Sequence, residues 1–138
     1  MNISRNKQHF IIMTVIYDEL NDFEYGEVKT PREASSLIAE LCGCPYEEVP
    51  KYIIDTVNIS LSKYGIIKKE FLPKLNSWTW ERIPVLTRSI LIMSYTHYYF
   101  VEKIDKRIVI DIAVELSKTY LDEKQTKFIN AILDEVLK

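Results

Sequence analysis

Apolar residues recur along this chain at helical spacing, with no run of strict alternation. The clearest case is 107–120, where Val109, Ile112, Ala113, Leu116 and Tyr120 mark one face of a helix. Phe128, Ile129, Ile132, Leu133, Val136 and Leu137 predict the face of a last helix, opened by Asp122. Two other stretches are apolar nearly all round. Phe10 to Ile16 lies in a helix over 4–20, which Ser4 can cap, and Ile90 to Val101 lies in a helix over 84–101 opened by Pro84. A helix without a polar face is buried on most sides, so the 84–101 helix is expected to be central.

The remaining punctuation predicts shorter helices. Thr30-Pro31 followed by Glu33 reads as a capping box opening a second helix, with Leu37, Ile38 and Leu41 inward and Gly43 as its stop. Pro50 opens a third, carried to about Tyr64 and broken by Gly65. Residues 66–75 form a lysine-bearing helix ending near Asn76. The acidic stretch 21–29, with Gly26, reads as a loop, and 102–107 as a charged connector. Trp78 and Trp80 read as packing anchors at a helix start. The sum is an all-α domain of about seven helices.

Composition narrows the class. The chain has 138 residues, enough for one domain with a core of its own, and only 3 Gly and 5 Pro, which suits long helices. Its net charge of −2 gives weak non-specific affinity for phosphate, so any nucleic-acid binding must use a local patch. The run Phe10–Ile16 is too short to span a membrane and is followed by no small-residue cleavage site, which points to the cytoplasm.

Candidate chemistry is sparse. Cys42-Gly43-Cys44 offers too few ligands for a structural metal and no disulfide framework, in keeping with a reducing compartment. His9 and His97 are not grouped with the cysteines, and there is no glycine-rich phosphate loop. Glu47-Glu48 and Asp122-Glu123 read as helix starts. No metal, cofactor or catalytic residue is expected.

Five segments of the C-terminal half form a larger pattern. They are Trp78-Thr79-Trp80-Glu81-Arg82-Ile83, Arg88-Ser89-Ile90-Leu91, Ala113-Val114-Glu115-Leu116-Ser117-Lys118, Lys127-Phe128-Ile129-Asn130 and Ile132-Leu133-Asp134. In order and spacing, over about 60 residues, this resembles the NusB transcription-antitermination family. The N-terminal half matches more loosely, through Ile12-Met13-Thr14-Val15-Ile16-Tyr17 and a thin basic start. Ile92, Thr96-His97 and Asp111-Ile112 stand where the family often carries Arg, Tyr-Glu and Asn-Glu.

The resemblance implies a NusB-like helical bundle in two subdomains, about 1–64 and 65–138. It also implies a non-enzymatic factor that binds boxA-like single-stranded RNA with a small-subunit ribosomal protein. The alternative is a diverged NusB-fold protein–protein interaction module with weak or no RNA binding. Candidate RNA contacts are Arg5, Lys7, His9, Lys127, Phe128 and Asn130. Each has a plainer reading: a solvated chain start for Arg5, Lys7 and His9, core packing for Phe128, and a solvated or backbone-bonded helix face for Lys127 and Asn130. Lys118 and Lys124 extend the patch or are solvated. Arg82 and Arg88 read as internal salt-bridge partners. Tyr17, with the acidic residues Asp22 and Glu24, is the candidate protein-partner face. A homodimer through one apolar face is also compatible with the pattern.

Overall fold

The structure is a computed structural model that describes residues 2–25 and 34–138, and for Glu24 and Tyr25 the backbone alone. The described residues form seven α-helices and no strand. They are α1 (Arg5–Tyr25), α2 (Ala34–Cys42), α3 (Lys51–Ser62), α4 (Tyr64–Phe71), α5 (Val85–Thr96), α6 (Lys106–Tyr120) and α7 (Glu123–Val136). The expected Thr30-Pro31-Glu33 capping box lies outside the described residues.

α5 is the axis of the bundle. It packs against α1, α3, α4, α6 and α7, and Thr87 through Ser94 are all buried. A widened π turn, His97–Val101, continues it, so the helical stretch reaches the expected end at 101. α1 is the second long element, with Ile11, Ile12, Val15, Ile16 and Leu20 fully buried against α5, α3 and α2. α6 and α7 form an antiparallel hairpin in which Ser117 bonds Thr126 and Lys106 bonds the Asp134 carbonyl, at 2.9 and 3.0 Å.

Several local signals act as read. Ser4 Oγ accepts from the Lys7 amide at 3.2 Å and caps α1. Gly43 adopts φ +69 and closes α2, with the Gly43 and Cys44 amides both returning to the Ala39 carbonyl. Pro50 and Pro84 stand just before α3 and α5, where a missing N–H costs nothing. Asp105 and Asp122 cap α6 and α7 through the amides of Arg107 and Gln125, at 2.8 and 2.9 Å.

Three expectations are corrected. Residues 21–25 are the last turn of α1 and not a loop; burial of Leu20 carries the helix on, and no breaker precedes Gly26. Gly65 does not end a helix but is the second residue of α4, where a first-turn amide needs no intrahelical partner. The break falls at Lys63, whose amide closes α3 on Ile59 and whose carbonyl starts α4 by accepting from Ile67. Trp78 and Trp80 also part company. Trp80 is buried and donates to the Tyr64 hydroxyl at 2.8 Å, whereas Trp78 is 52% exposed.

The hairpin cap gives a direct test. Asp122→Ala leaves the Gln125 amide without its acceptor and is expected to cost about 1 kcal/mol. Thermal denaturation should show this as a fall of roughly 3 °C in Tm. An unchanged Tm would mean the cap contributes nothing.

Candidate nucleic-acid interface

Two clusters of candidate side chains lie at opposite ends of α5. One forms where the chain enters α5 and meets the first turns of α7. There Trp78, Arg82, Ile83, Pro84, Lys124, Gln125 and Phe128 line a groove of about 230 Å³. Trp80, two residues beyond Trp78, is pinned in the core, so Trp78 projects outward from a tight turn. Asn76 makes that turn possible with φ +56, a left-handed conformation Asn tolerates, and the Trp78 amide returns to the Leu75 carbonyl at 3.0 Å.

The groove combines aromatic surface with positive charge. Lys124 Nζ lies 5.7 Å from the centre of the Trp78 ring, a cation–π contact. Phe128, one turn beyond Lys124 on α7, is half-buried and offers part of its ring. Arg82 is exposed and makes no ion pair among the described residues. Gln125 is held by the Thr87 hydroxyl at 2.9 Å, which ties α7 to α5 at this point. Exposed aromatic faces next to free cations suit unpaired bases on a phosphate backbone.

Lys127 and Asn130 flank the groove on the solvent face of α7, both exposed. Lys127 pairs with Glu123 at 3.3 Å one turn earlier, but both side chains are more than three-quarters exposed, so the pair is weak and easily exchanged for another anion. Lys118 pairs similarly with Glu115 at 3.8 Å. Arg88 is buried and donates from Nε to the Ile83 carbonyl at 2.8 Å, fixing the turn that leads into α5.

The second cluster surrounds the start of α1. Arg5 donates to Glu102 Oε1 at 2.8 Å, and its guanidinium sits 3.8 Å above the Tyr52 ring. Glu102 Oε1 also contacts His97 Nε2 at 2.7 Å, and His97 Nδ1 lies 3.2 Å from the Tyr52 hydroxyl. A carboxylate only accepts, so His97 carries its proton on Nε2 and Nδ1 accepts from Tyr52. The Arg5 bond, followed by His97, holds the Glu102 carboxyl below the usual range. Burial pushes the Tyr52 hydroxyl up and His97 down, the latter despite Glu102.

The basic start is therefore divided. Lys7 is exposed and unpaired among the described residues, Arg5 is engaged, and His9 is buried at 6% exposure. His9 meets the Tyr52 ring edge-on at 5.7 Å, and its Nε2 finds no partner among the described residues. Burial first, then the neighbouring His97 and Arg5, lowers its pKa from 6.5 to about 4.

The α5 stretch between the clusters, 85–101, separates them by about 25 Å. Lys127, Phe128 and Asn130 are thus brought together, but not with Arg5, Lys7 and His9. Tyr17 is 39% exposed on α1, on the same face as Phe10 and Thr14. Trp78 and Arg82 are members of the groove that sequence reasoning missed; the nearest signal was the aromatic-basic composition of Trp78–Arg82.

The NusB family model matches residues 28–138 of the chain. Over 90 residues, the chain is 29% identical to the transcription antitermination protein NusB of Bacillus thuringiensis (strain Al Hakam) and to that of Bacillus cereus (strain AH187). Each alignment covers 65% of this chain and 69% of the relative. In fold the chain is similar to T. maritima NusB, with a TM-score of 0.76 at 22% identity over 99% of this chain and 92% of that one. It is equally similar to a chain in the crystal structure of a plectonemic RNA supercoil, at 0.76 and 20% identity, over 96% and 92%.

The buried imidazole makes stability fall with acid. The folded His9 resists a proton that the unfolded chain takes up below 6.5, so its contribution is intact above that pH and is lost progressively down to about 4. The loss by pH 4 is on the order of 3 kcal/mol. Urea titrations from pH 7 to 4 should show a shallower decline for His9→Phe than for the native chain. Identical slopes would mean that His9 is already charged in the fold.

Proposed function

This chain belongs to the NusB family, and on that premise we propose that it is a transcription antitermination factor that binds boxA-like single-stranded RNA together with a small-subunit ribosomal protein. The carrying observation is the Trp78–Phe128 groove, where two partly exposed aromatic rings stand beside Arg82 and Lys124. Stacking on Trp78 and Phe128 accepts unpaired bases, while Arg82, Lys124 and Lys127 meet phosphates. Asn130 supplies an amide able to bond a base edge. The role is one of binding and involves no covalent step. It belongs in the cytoplasm; among the described residues no helix is long and apolar enough to cross a membrane.

One observation favours the second reading, a NusB-fold module that binds protein and little RNA. Arg5 is committed to Glu102 and Tyr52, so a phosphate must displace a carboxylate to reach it.

Titration of a labelled boxA-like strand at two salt concentrations, with and without the ribosomal protein, separates the two. Saturable, sequence-preferring binding that weakens with salt is expected. Trp78→Ala should lower affinity by about 5- to 150-fold, since stacking contributes about 1–3 kcal/mol per base. Lys124→Ala should reduce the salt slope by about one. Helical circular dichroism should be unchanged in both. No binding even with the ribosomal protein present would sink the RNA reading and leave the protein-only module.

A further inference from the structure

A second groove runs between α1 and α6, with a volume of about 430 Å³. Its chemistry is opposite to that of the Trp78 groove. Phe10 of α1 and Tyr120 of α6 form an aromatic wall, their ring centres 5.5 Å apart. Tyr120 is 45% exposed and Ile108, at the other end, 51%. Between them Asp111, Ile112 and Glu115 follow on one face of α6. Every formal charge lining the groove is negative.

These carboxylates are available. Asp111 is exposed and has no ion pair among the described residues. Glu115 has only the exposed Lys118, at 3.8 Å. A polyanion is repelled from such a surface, whereas a cationic chain with apolar side chains matches it on both counts. On α1, Phe10, Thr14 and Tyr17 share a face, so the partly exposed Tyr17 ring lies on the same side of the helix as the groove's Phe10. Exposed large apolar groups rimmed by polar residues mark interaction surfaces, protein–protein ones among them.

We propose that the α1–α6 groove docks a basic peptide segment of a protein partner, with one apolar side chain against the Phe10–Tyr120 wall, a second against Ile108 at the other end, and lysine or arginine side chains against Asp111 and Glu115 between them. This rests on the reading that the factor works with a protein partner, and it gives RNA and protein separate grooves of opposite charge. RNA then meets the Trp78 end of α5, and the partner meets the solvent face of α6.

The test uses the full chain and a fluorescein-labelled model peptide of alternating leucine and lysine, with a leucine–glutamate peptide as control. The lysine peptide should bind saturably and shift the amide resonances of Ile108, Asp111, Glu115 and Tyr120; the glutamate peptide should not. Asp111→Asn with Glu115→Gln should weaken the lysine peptide by about 5- to 10-fold, and Ile108→Ser should weaken it independently. All the substituted side chains are exposed, so helical content should not change.

The same variants are titrated with the boxA-like strand and measured by sedimentation. Unchanged RNA affinity and oligomeric state support the assignment. Loss of RNA affinity on Ile108→Ser would make the groove an RNA surface, and conversion of a dimer to a monomer would make it a self-association face; either overturns the proposal. So does lysine-peptide binding indifferent to all three substitutions. A native chain that binds the lysine peptide here but no RNA would sink the RNA reading alone.

Discussion

The burial of α5 on every side is the constraint from which the remainder follows. A helix surrounded by five others must bury whatever polar groups it carries, and α5 with its terminal turn carries many: Thr87, Arg88, Ser89, Ser94, Thr96 and His97. Leaving any of them without a partner costs about 1–3 kcal/mol. Ser89 and Ser94 turn back on carbonyls one turn earlier, at 3.0 and 2.7 Å. The others reach outward, to α7, to the turn before α5, and to α3. Thr87 fixes α7 through Gln125, Arg88 fixes the preceding turn, Thr96 accepts from Ser60 of α3, and His97 links Tyr52 of α3 to Glu102. The polar residues thus register the bundle around an otherwise non-directional apolar contact.

That registration also decides which cations are free. At the far end of α5, His97 positions Glu102, and Glu102 takes Arg5 out of circulation. At the near end, Arg88 spends its Nε on a carbonyl, so the turn carrying Arg82 is rigid while Arg82 itself stays in solvent. A chain with a net charge of −2 has little general attraction for phosphate. On the proposed function, nucleic-acid affinity would therefore depend on where cations such as Arg82 and Lys124 stand, and both line the groove with Trp78 and Phe128 at one end of the axis. The exposed carboxylates of α6, Asp111 and Glu115, line a different groove.

The helices were legible because their signals are local. The stripe on α6, the Asp122 cap and the left-handed Gly43 each need only a few neighbouring residues to be read. The end of α1 was not legible: its acidic residues suggested a loop, but burial of Leu20 in the tertiary core outweighed them. Gly65 was misread because a glycine breaks a helix only where its flexibility is needed, and here nothing crowds it. The candidate site was half legible. Lys127, Phe128 and Asn130 are contiguous, so resemblance could find them. Trp78 and Arg82 join them only across the α5–α7 packing, and two tryptophans two residues apart give no sign of which one is buried. His9 shows the reverse limit, since its basic neighbours suggested a surface that the α1–α3 packing closes.

The two ends of α5 differ in how they would respond to a ligand. The Trp78 groove is assembled from three segments already locked: Trp80 bonded to Tyr64, Arg88 bonded to Ile83, and Gln125 bonded to Thr87. Only Trp78, Arg82 and Lys124 retain freedom, so a base arriving there pays to order a few side chains and no backbone, which favours affinity from a small area. The Arg5 end is closed on itself, because freeing the guanidinium breaks a 2.8 Å ion pair and a ring contact together. An RNA strand would therefore engage the groove first. It would recruit Arg5 only if the phosphate it delivers outweighs Glu102, a carboxylate already shared with a buried histidine. On the proposed function, initial capture would fall to the α7 end of the molecule, and the α1 end would set how much further the strand is held.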